Sequence, residues 1–154
     1  MMKQMTMNGL DGFLLPRRQT ASQGKQATQS GRTLEDLIWN VLLDHGCTVI
    51  RQHPIGAGLY GHPIKVDFFV TGIGKYPNGL IVESKWQEMP GSVDEKFPYM
   101  VENIKQYYPC PTIVVYGGSG SKAGALRWLK RQTDEKLIGV FSIDELLIWA
   151  IRNL

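Results

Sequence analysis

Charged residues interrupt two strongly apolar stretches in the middle of the chain. Asp67 lies within the run from Ile64 to Thr71, and Glu83 and Lys85 lie near the end of the run from Leu80 to Trp86. Residues two apart on a strand point to the same face, so Glu83 and Lys85 stand side by side. Neighbouring carboxylates repel unless a cation lies between them, and Mg²⁺ takes such oxygen ligands. The pattern predicts a metal site at which Asp67, Glu83 and Lys85 converge, although an isolated E-x-K is more often a surface pair.

A further carboxylate comes from the first predicted helix. Thr33 is a suitable N-cap and Gly46 a suitable stop, which predicts a helix over residues 34–45. Glu35 falls beside the apolar face of this helix and away from its polar stripe. It is predicted to point toward the protein body, either as a boundary residue with its carboxylate in water or as part of the site. The apolar face contains Leu34, Leu37, Ile38, Val41 and Leu42, and the polar stripe Asp36, Asn40 and Asp44.

The remaining apolar patterns predict one α/β domain. Three strands, over residues 47–53, 64–71 and 80–86, are expected to form an antiparallel meander. A helix (about 94–106), a strand (111–116), a basic helix (about 122–132), a strand (137–141) and a helix capped by Ser142 or Asp144 follow. The order αβββαβ followed by αβα predicts a mixed central sheet flanked by helices. Alternation along the second strand predicts one face formed by Ile64, Val66, Phe68 and Val70.

Taken together, these residues resemble the PD-(D/E)XK nuclease superfamily, the fold of many restriction endonucleases, whose core runs αβββαβ. A segment similar to an E-K-x-P-Y helix of some restriction-type enzymes follows at residues 91–105, and then a strand and YGG. The resemblance covers about residues 33–132, and Val66 stands where the family motif has proline. The matching positions are Glu35 on the first helix, Val66-Asp67 for "PD", Glu83-Ser84-Lys85 for "(D/E)XK", and Gln87 as a supporting residue.

The resemblance implies a restriction endonuclease-like α/β fold and a Mg²⁺-dependent DNA endonuclease that leaves a 5′-phosphate. Asp67, Glu83 and the backbone carbonyl of Ser84 would ligate Mg²⁺, for which Mn²⁺ would substitute. Lys85 would orient or deprotonate the attacking water, and Glu35 would hold a second metal or a metal-bound water. A homodimer is expected, since one active site cuts one strand of a duplex.

Positive charge is concentrated at the start of the chain. Residues 1–33 hold five basic residues and one acidic residue, whereas the net charge of the whole chain is only +3. This leader is rich in Gln, Ser, Thr and Gly, which predicts a flexible basic arm over residues 1–32 and a nuclease domain over 33–154. Such an arm suits contact with DNA phosphates or serves as a solubilising spacer. The candidate DNA-binding residues are Arg17, Arg18, Lys25, Arg32, Lys96, Lys122 and Arg127, for the last three of which a solvated or surface position is the competing interpretation.

Two glycine-rich segments imitate nucleotide-binding motifs in the wrong context. Gly56, Gly58 and Gly61 spell G-x-G-x-x-G, but a strand follows directly, which favours a hairpin loop. Lys122 lacks the preceding Gly and following Ser or Thr of a phosphate-binding loop. We therefore expect no nucleotide cofactor. The histidines and the two cysteines lack metal-ligand spacing, and Cys47 and Cys110 are expected to be buried thiols.

Composition narrows the class of protein further. The chain is 43% hydrophobic and 20% charged, as in ordinary globular domains. No apolar run approaches the roughly 18 residues that span a bilayer, and no secretory signal begins the chain, so a cytoplasmic protein without a membrane partner is expected. Three alternatives remain open at this point: a Holliday-junction resolvase, a mobile-element nuclease of the same superfamily, and a DNA-binding module that does not cleave.

Overall fold

The computed structural model describes residues 23–154. Within them, four helices and five strands follow one another in the predicted order. No described helix is both long enough and apolar enough to cross a membrane. The elements are α1 (Gln23–Asp44), β1 (Thr48–Ala57), β2 (Pro63–Thr71), β3 (Leu80–Trp86), α2 (Ser92–Tyr107), β4 (Thr112–Gly117), α3 (Ala123–Arg131), β5 (Leu137–Phe141) and α4 (Ile143–Asn153).

All five strands belong to one sheet, in the spatial order β1-β2-β3-β4-β5. The strands β1, β2 and β3 pair in antiparallel fashion, whereas β3, β4 and β5 are parallel. The parallel half requires crossover connections, which α2 and α3 provide. The predicted mixed sheet and the αβββαβ core with its αβα extension are confirmed.

Helices cover both faces of the sheet and create two apolar layers. Helices α1 and α4 bury one face, and α2 and α3 bury the other. Both cysteines are buried free thiols, as predicted. The first layer includes Leu34, Ile38, Leu42, Phe68, Val82, Leu146 and Ala150, and the second includes Ile81, Phe97, Ile104, Val114, Leu129 and Leu137.

The first helix begins earlier than the sequence pattern predicts. It starts at Gln23, so Thr33 lies inside the helix and is not its N-cap, and the predicted arm boundary at residue 32 falls within it. Good helix formers such as Gln, Lys and Ala occupy the added turns. A single potential N-cap residue is weaker evidence for the start of a helix than several such residues are. Lys25 and Arg32 are therefore helical, while Arg17 and Arg18 lie outside the described residues.

The apolar faces predicted for the first helix and the second strand also differ from those in the structure. Leu37 is exposed on α1, so the buried stripe of that helix is narrower than predicted. In β2, Phe68 and Val70 pack with α1 and α4, whereas Val66 packs with α2 and α3. The prediction of one continuous apolar face was wrong because the strand changes face at Asp67, where its pairing with β3 has ended.

The loops that follow β3 and β4 are joined through Gln87. Its backbone N–H donates to the carbonyl of Gly117 at 3.1 Å, and its carbonyl accepts from the N–H of Gly120 at 2.7 Å. Its side-chain amide donates to the Gly120 carbonyl at 3.3 Å and accepts from the N–H of Asp94 at 3.1 Å. We call this group of contacts the Gln87 clamp. It fixes the start of α2 and the β4–α3 loop relative to the end of β3.

We expect Gly118→Ala to destabilise the protein by about 2 kcal/mol or more. Gly118 has a φ of +83°, and a methyl group there would lie 2.2 Å from the carbonyl oxygen of Gln87, which belongs to the rigid backbone. The control is Gly124→Ala in α3, where the nearest atom to the added methyl group is 3.9 Å away. That change should be neutral or stabilise by up to about 1 kcal/mol. Urea unfolding of both variants measures the difference, and equal stabilities would contradict the close packing at Gly118.

Candidate active site

The site lies where strands β2 and β3 separate. Their paired ladder ends at Phe68 and Val82, so Asp67 and Glu83 follow immediately beyond the last pair. The Asp67 carboxylate accepts a hydrogen bond from the backbone N–H of Ser84 at 2.7 Å. The side chain of Asp67 thus replaces the missing backbone partner and holds the two strand ends in register.

Glu83 is buried, and its carboxylate contacts two other groups. The hydroxyl of Tyr108 donates to its Oε1 at 2.7 Å, and the Nζ of Lys85 lies 3.9 Å from its Oε2. Burial raises the pKa of Glu83 from 4.5 to about 7; Lys85 opposes this, and the charge and hydrogen bond of Asp67 add to it. Burial and the Glu83 carboxylate also raise the pKa of Tyr108, which therefore stays a hydrogen-bond donor. The pair of carboxyl groups favours binding a proton or a cation.

The other side of Asp67 faces β1. The side-chain amide of Gln52 donates to Asp67 Oδ1 at 3.4 Å. Gln52 has a φ of +50°, a left-handed conformation that a residue other than glycine rarely adopts. Such strain at a site is maintained by surrounding contacts, and here it brings β1 within reach of the carboxylate.

Glu35 approaches the same carboxylates from α1. It is half-buried, and burial and then the charge of Asp67 raise its pKa, while Arg51 opposes them. Arg51 is held in place by Asp36, at 3.0 Å, and by the ring of Trp39, at 4.5 Å. Glu35 is therefore within electrostatic range of Asp67.

A cavity of about 490 Å³ opens over this group, between β2, β3 and α2. It brings together four of the residues that the sequence singled out: Asp67, Glu83, Lys85 and Lys96. Aromatic and basic side chains complete the walls. Its lining includes His62, Ile64, Lys65, Phe97, Tyr99, Met100, Asn103 and Tyr108.

Other predicted residues lie away from the cavity. Gln87 is buried in the clamp described above, where its contacts are structural. Lys122 and Arg127 are exposed at the start and on the surface of α3, and Arg32 is exposed on α1. Lys122 donates its backbone N–H to Asp94 at 2.9 Å. These basic residues are free to meet a phosphate backbone but do not take part in the carboxylate cluster.

Sequence patterns missed three residues that shape the site. Tyr108 follows the end of α2 and supports Glu83, and Gln52 in β1 supports Asp67. Asn103 is buried on α2 and accepts from the N–H of Leu59 in the β1–β2 hairpin at 2.8 Å. A polar residue in the apolar stripe of α2 was the only available signal for Asn103, because a buried amide needs a partner.

A mixed sheet with a carboxylate pair and a lysine at a strand fork defines a restriction endonuclease-like α/β nuclease fold. The family model described as a PD-(D/E)XK nuclease superfamily domain matches residues 26–154. The chain therefore belongs to the PD-(D/E)XK nuclease superfamily, which implies a nuclease with a nucleic-acid substrate. No curated protein and no solved structure matches significantly.

Without metal, the wild type should lose stability as pH rises from about 4.5 to about 7, by no more than about 3 kcal/mol. In this window the folded state keeps a proton on Glu83 that the unfolded state has released, so raising the pH favours unfolding. Glu83→Gln should lack this component. Urea unfolding of both proteins in chelator, at several pH values, isolates the effect of Glu83; parallel profiles would show that its carboxyl group titrates normally.

Proposed function

We propose that the protein is a Mg²⁺-dependent DNA endonuclease that hydrolyses phosphodiester bonds and leaves a 5′-phosphate. The observation that carries the proposal is the convergence of Asp67, buried Glu83 and Lys85 on one cavity. An ion pair between Glu83 and Lys85 with a purely structural role would not require the Asp67 carboxylate beside Glu83. A catalytic centre for phosphate hydrolysis does, because it must hold a cation.

The donor set fits a hard divalent cation. Burial, and to a lesser extent the charge of Asp67, raise the pKa of Glu83, so the two deprotonated carboxylates favour a positive charge beside them. Among the residues that the structure describes, no three His, Cys, Asp or Glu side chains form a metal-binding group. Two carboxylates with a backbone carbonyl and water are a common Mg²⁺ environment, and Mn²⁺ would suit the same ligands. When bound, the ion would offset charge on the scissile phosphate and lower the pKa of a water molecule.

Ser84 and Glu35 complete the set of oxygen donors. The N–H and carbonyl of one strand residue point toward the same neighbouring strand, so the N–H bond of Ser84 to Asp67 directs its carbonyl toward Asp67 too. Glu35 is near enough to influence Asp67 electrostatically but does not line the cavity. We assign it a supporting part through water or a second ion.

Lys85 is placed to act on the attacking water. Its ammonium group lies 3.9 Å from Glu83 Oε2 and Lys85 lines the cavity, so the ammonium can orient a water molecule and stabilise the hydroxide that forms from it, whereas deprotonating the water would require the neutral amine. Tyr108 and the Ser84 N–H are positioning groups, since each donates a hydrogen bond to one of the two carboxylates. Lys96 lines the cavity beside them, and Lys122 and Arg127 offer outer phosphate contacts. Two copies of the chain related by a two-fold axis would be the simplest way to cut both strands of a duplex.

Replacing Asp67, Glu83 or Lys85 by Ala should reduce DNA cleavage by several orders of magnitude while DNA binding remains measurable. These groups act mainly on the transition state, so substrate affinity changes less than rate. Glu35→Ala should reduce the rate less. Cleavage of plasmid in Mg²⁺ and DNA binding in chelator are the two measurements.

Lys105→Ala is the matched control for Lys85. The two lysine side chains are equally accessible, at 31% and 32%, and Lys105 pairs with Asp134 at 3.2 Å outside the cavity. Its variant should cleave at the wild-type rate. Full activity of Lys85→Ala, or a similar loss in both lysine variants, would refute the assignment, and a folded wild type that binds DNA but never cuts it would indicate a DNA-binding module.

Mg²⁺ or Mn²⁺ should raise the melting temperature of the wild type but hardly that of Asp67→Ala. An ion that binds only the native state stabilises it in proportion to occupancy, and Asp67→Ala removes half of the carboxylate pair. The control Asp144→Ala changes an exposed acidic residue in the first turn of α4 and should respond as the wild type does. Equal metal responses in the wild type and Asp67→Ala would show that the carboxylates do not share an ion.

A further inference from the structure

The tip of the β1–β2 hairpin is fastened to α2. Buried Asn103 accepts the N–H of Leu59 at 2.8 Å and donates to the carbonyl of Tyr99 at 3.1 Å. The Gly58 N–H donates to the carbonyl of His62 at 2.9 Å and closes the turn. A methyl group at Gly58 would lie 2.4 Å from the Asn103 side chain, so the contact depends on glycine. The hairpin tip is therefore a fixed wall of the site.

Two tyrosines form an exposed stack on this wall. The ring centroids of Tyr60 and Tyr99 are 5.5 Å apart and their planes differ by 17°. Tyr60 is 72% exposed, although one of its faces rests on Tyr99. His62 contacts the edge of Tyr60, with centroids 6.4 Å apart. One flat aromatic face is thus open to a ligand.

The tyrosine stack is continuous with the catalytic cavity. Tyr99 and His62 line the same cavity as Asp67 and Glu83. Its volume of about 490 Å³ is within the range that accepts a ligand the size of one nucleotide. Tyr60 stacks on Tyr99, so its ring extends the cavity wall outward from the space where a phosphodiester would be cut.

The charges of the cavity match a nucleic-acid strand. Lys65 and Lys96 line it, and neither forms an ion pair with any residue in the described part of the chain. The only carboxylates among its lining residues are Asp67 and Glu83, which belong to the proposed metal site. Unpaired cations beside exposed aromatic rings are the usual means of binding single strands, in which bases stack on the rings and phosphates meet the lysines.

We propose that Tyr60 and Tyr99 form a stacking platform for an unpaired base next to the scissile phosphate. This inference rests on the proposed nuclease function and names its substrate class: DNA with a single-stranded segment at the cleavage position. In a continuous duplex each base is stacked between its neighbours and offers no free face. Lys65 and Lys96 hold the phosphates that flank the stacked base.

The test measures binding of fluorescein-labelled oligonucleotides by anisotropy, in chelator, so that no cleavage occurs. The probes are an oligo-dT strand, a strand of abasic sites with the same number of phosphates, and a blunt duplex. Tyr60→Ala should weaken oligo-dT binding roughly 5- to 150-fold, the range for one stacked base, with little effect on the duplex. Tyr60→Phe keeps the ring and should retain the wild-type affinity.

The abasic strand separates stacking from a general loss of affinity. The wild type should bind it more weakly than oligo-dT, and Tyr60→Ala should cause no further loss. Tyr107→Ala is the control for loss of a tyrosine outside the stack. Like Tyr99, Tyr107 is on α2 and is 39% exposed, but it lies outside the cavity. It should leave binding of all three probes unchanged.

Equal losses for the abasic strand and oligo-dT, or no loss with Tyr60→Ala, would overturn the platform. A change in oligomeric state with Tyr60→Ala, seen by sedimentation, would also overturn it by showing that the tyrosines form a protein interface. Cleavage of the blunt duplex at the same rate by the wild type and by Tyr60→Ala would leave the nuclease function intact and refute only the platform. Tyr60-dependent binding of oligo-dT without any cleavage in Mg²⁺ would support the platform and refute the nuclease.

Discussion

Asp67 is half-buried and Glu83 beside it is buried, and two negative charges so close together need compensation. Hydrogen-bond donors and a cation from the surrounding segments supply this compensation. The N–H of Ser84 and the amide of Gln52 face Asp67, and the hydroxyl of Tyr108 and the ammonium of Lys85 face Glu83. These donors come from three different segments. Bringing the carboxylates together therefore fixes β1, β3 and the end of α2 relative to one another.

The early end of the β2–β3 ladder makes this arrangement possible. Had pairing continued past Phe68 and Val82, the N–H of Ser84 would have had a backbone partner and Asp67 would have lost its own. The parallel partner β4 continues alongside β3 to Gly117, so β3 stays ordered on its other edge. The site is thus an open fork within a sheet that is otherwise continuous, with a rigid strand carrying Glu83 and Lys85.

The sequence contained enough information to predict the fold and to bring Asp67, Glu83 and Lys85 together in one candidate site. Strand alternation has a period of two, so Glu83 and Lys85 had to share a face, and helix periodicity turned Glu35 inward. Supporting groups such as Tyr108 were not predictable, because their contacts depend on how separate elements pack. The start of α1 at Gln23 and the change of face at Asp67 were missed for a related reason. Local sequence patterns do not show at which residue two strands stop pairing.

The Gln87 clamp has a consequence for chain length at the edge of the site. Surface loops usually tolerate inserted residues, since each addition changes the entropy of loop closure only slightly. Between Gly117 and Gly120 the chain makes two hydrogen bonds to the backbone of Gln87, and methyl groups at Gly118 or Gly120 would collide with the Gln87–Met89 backbone. An insertion there would break the register of both bonds and release the first turn of α2. In this fold, therefore, a glycine-rich loop that looks permissive has a fixed length, and chain length can vary more readily in turns that carry no such contacts.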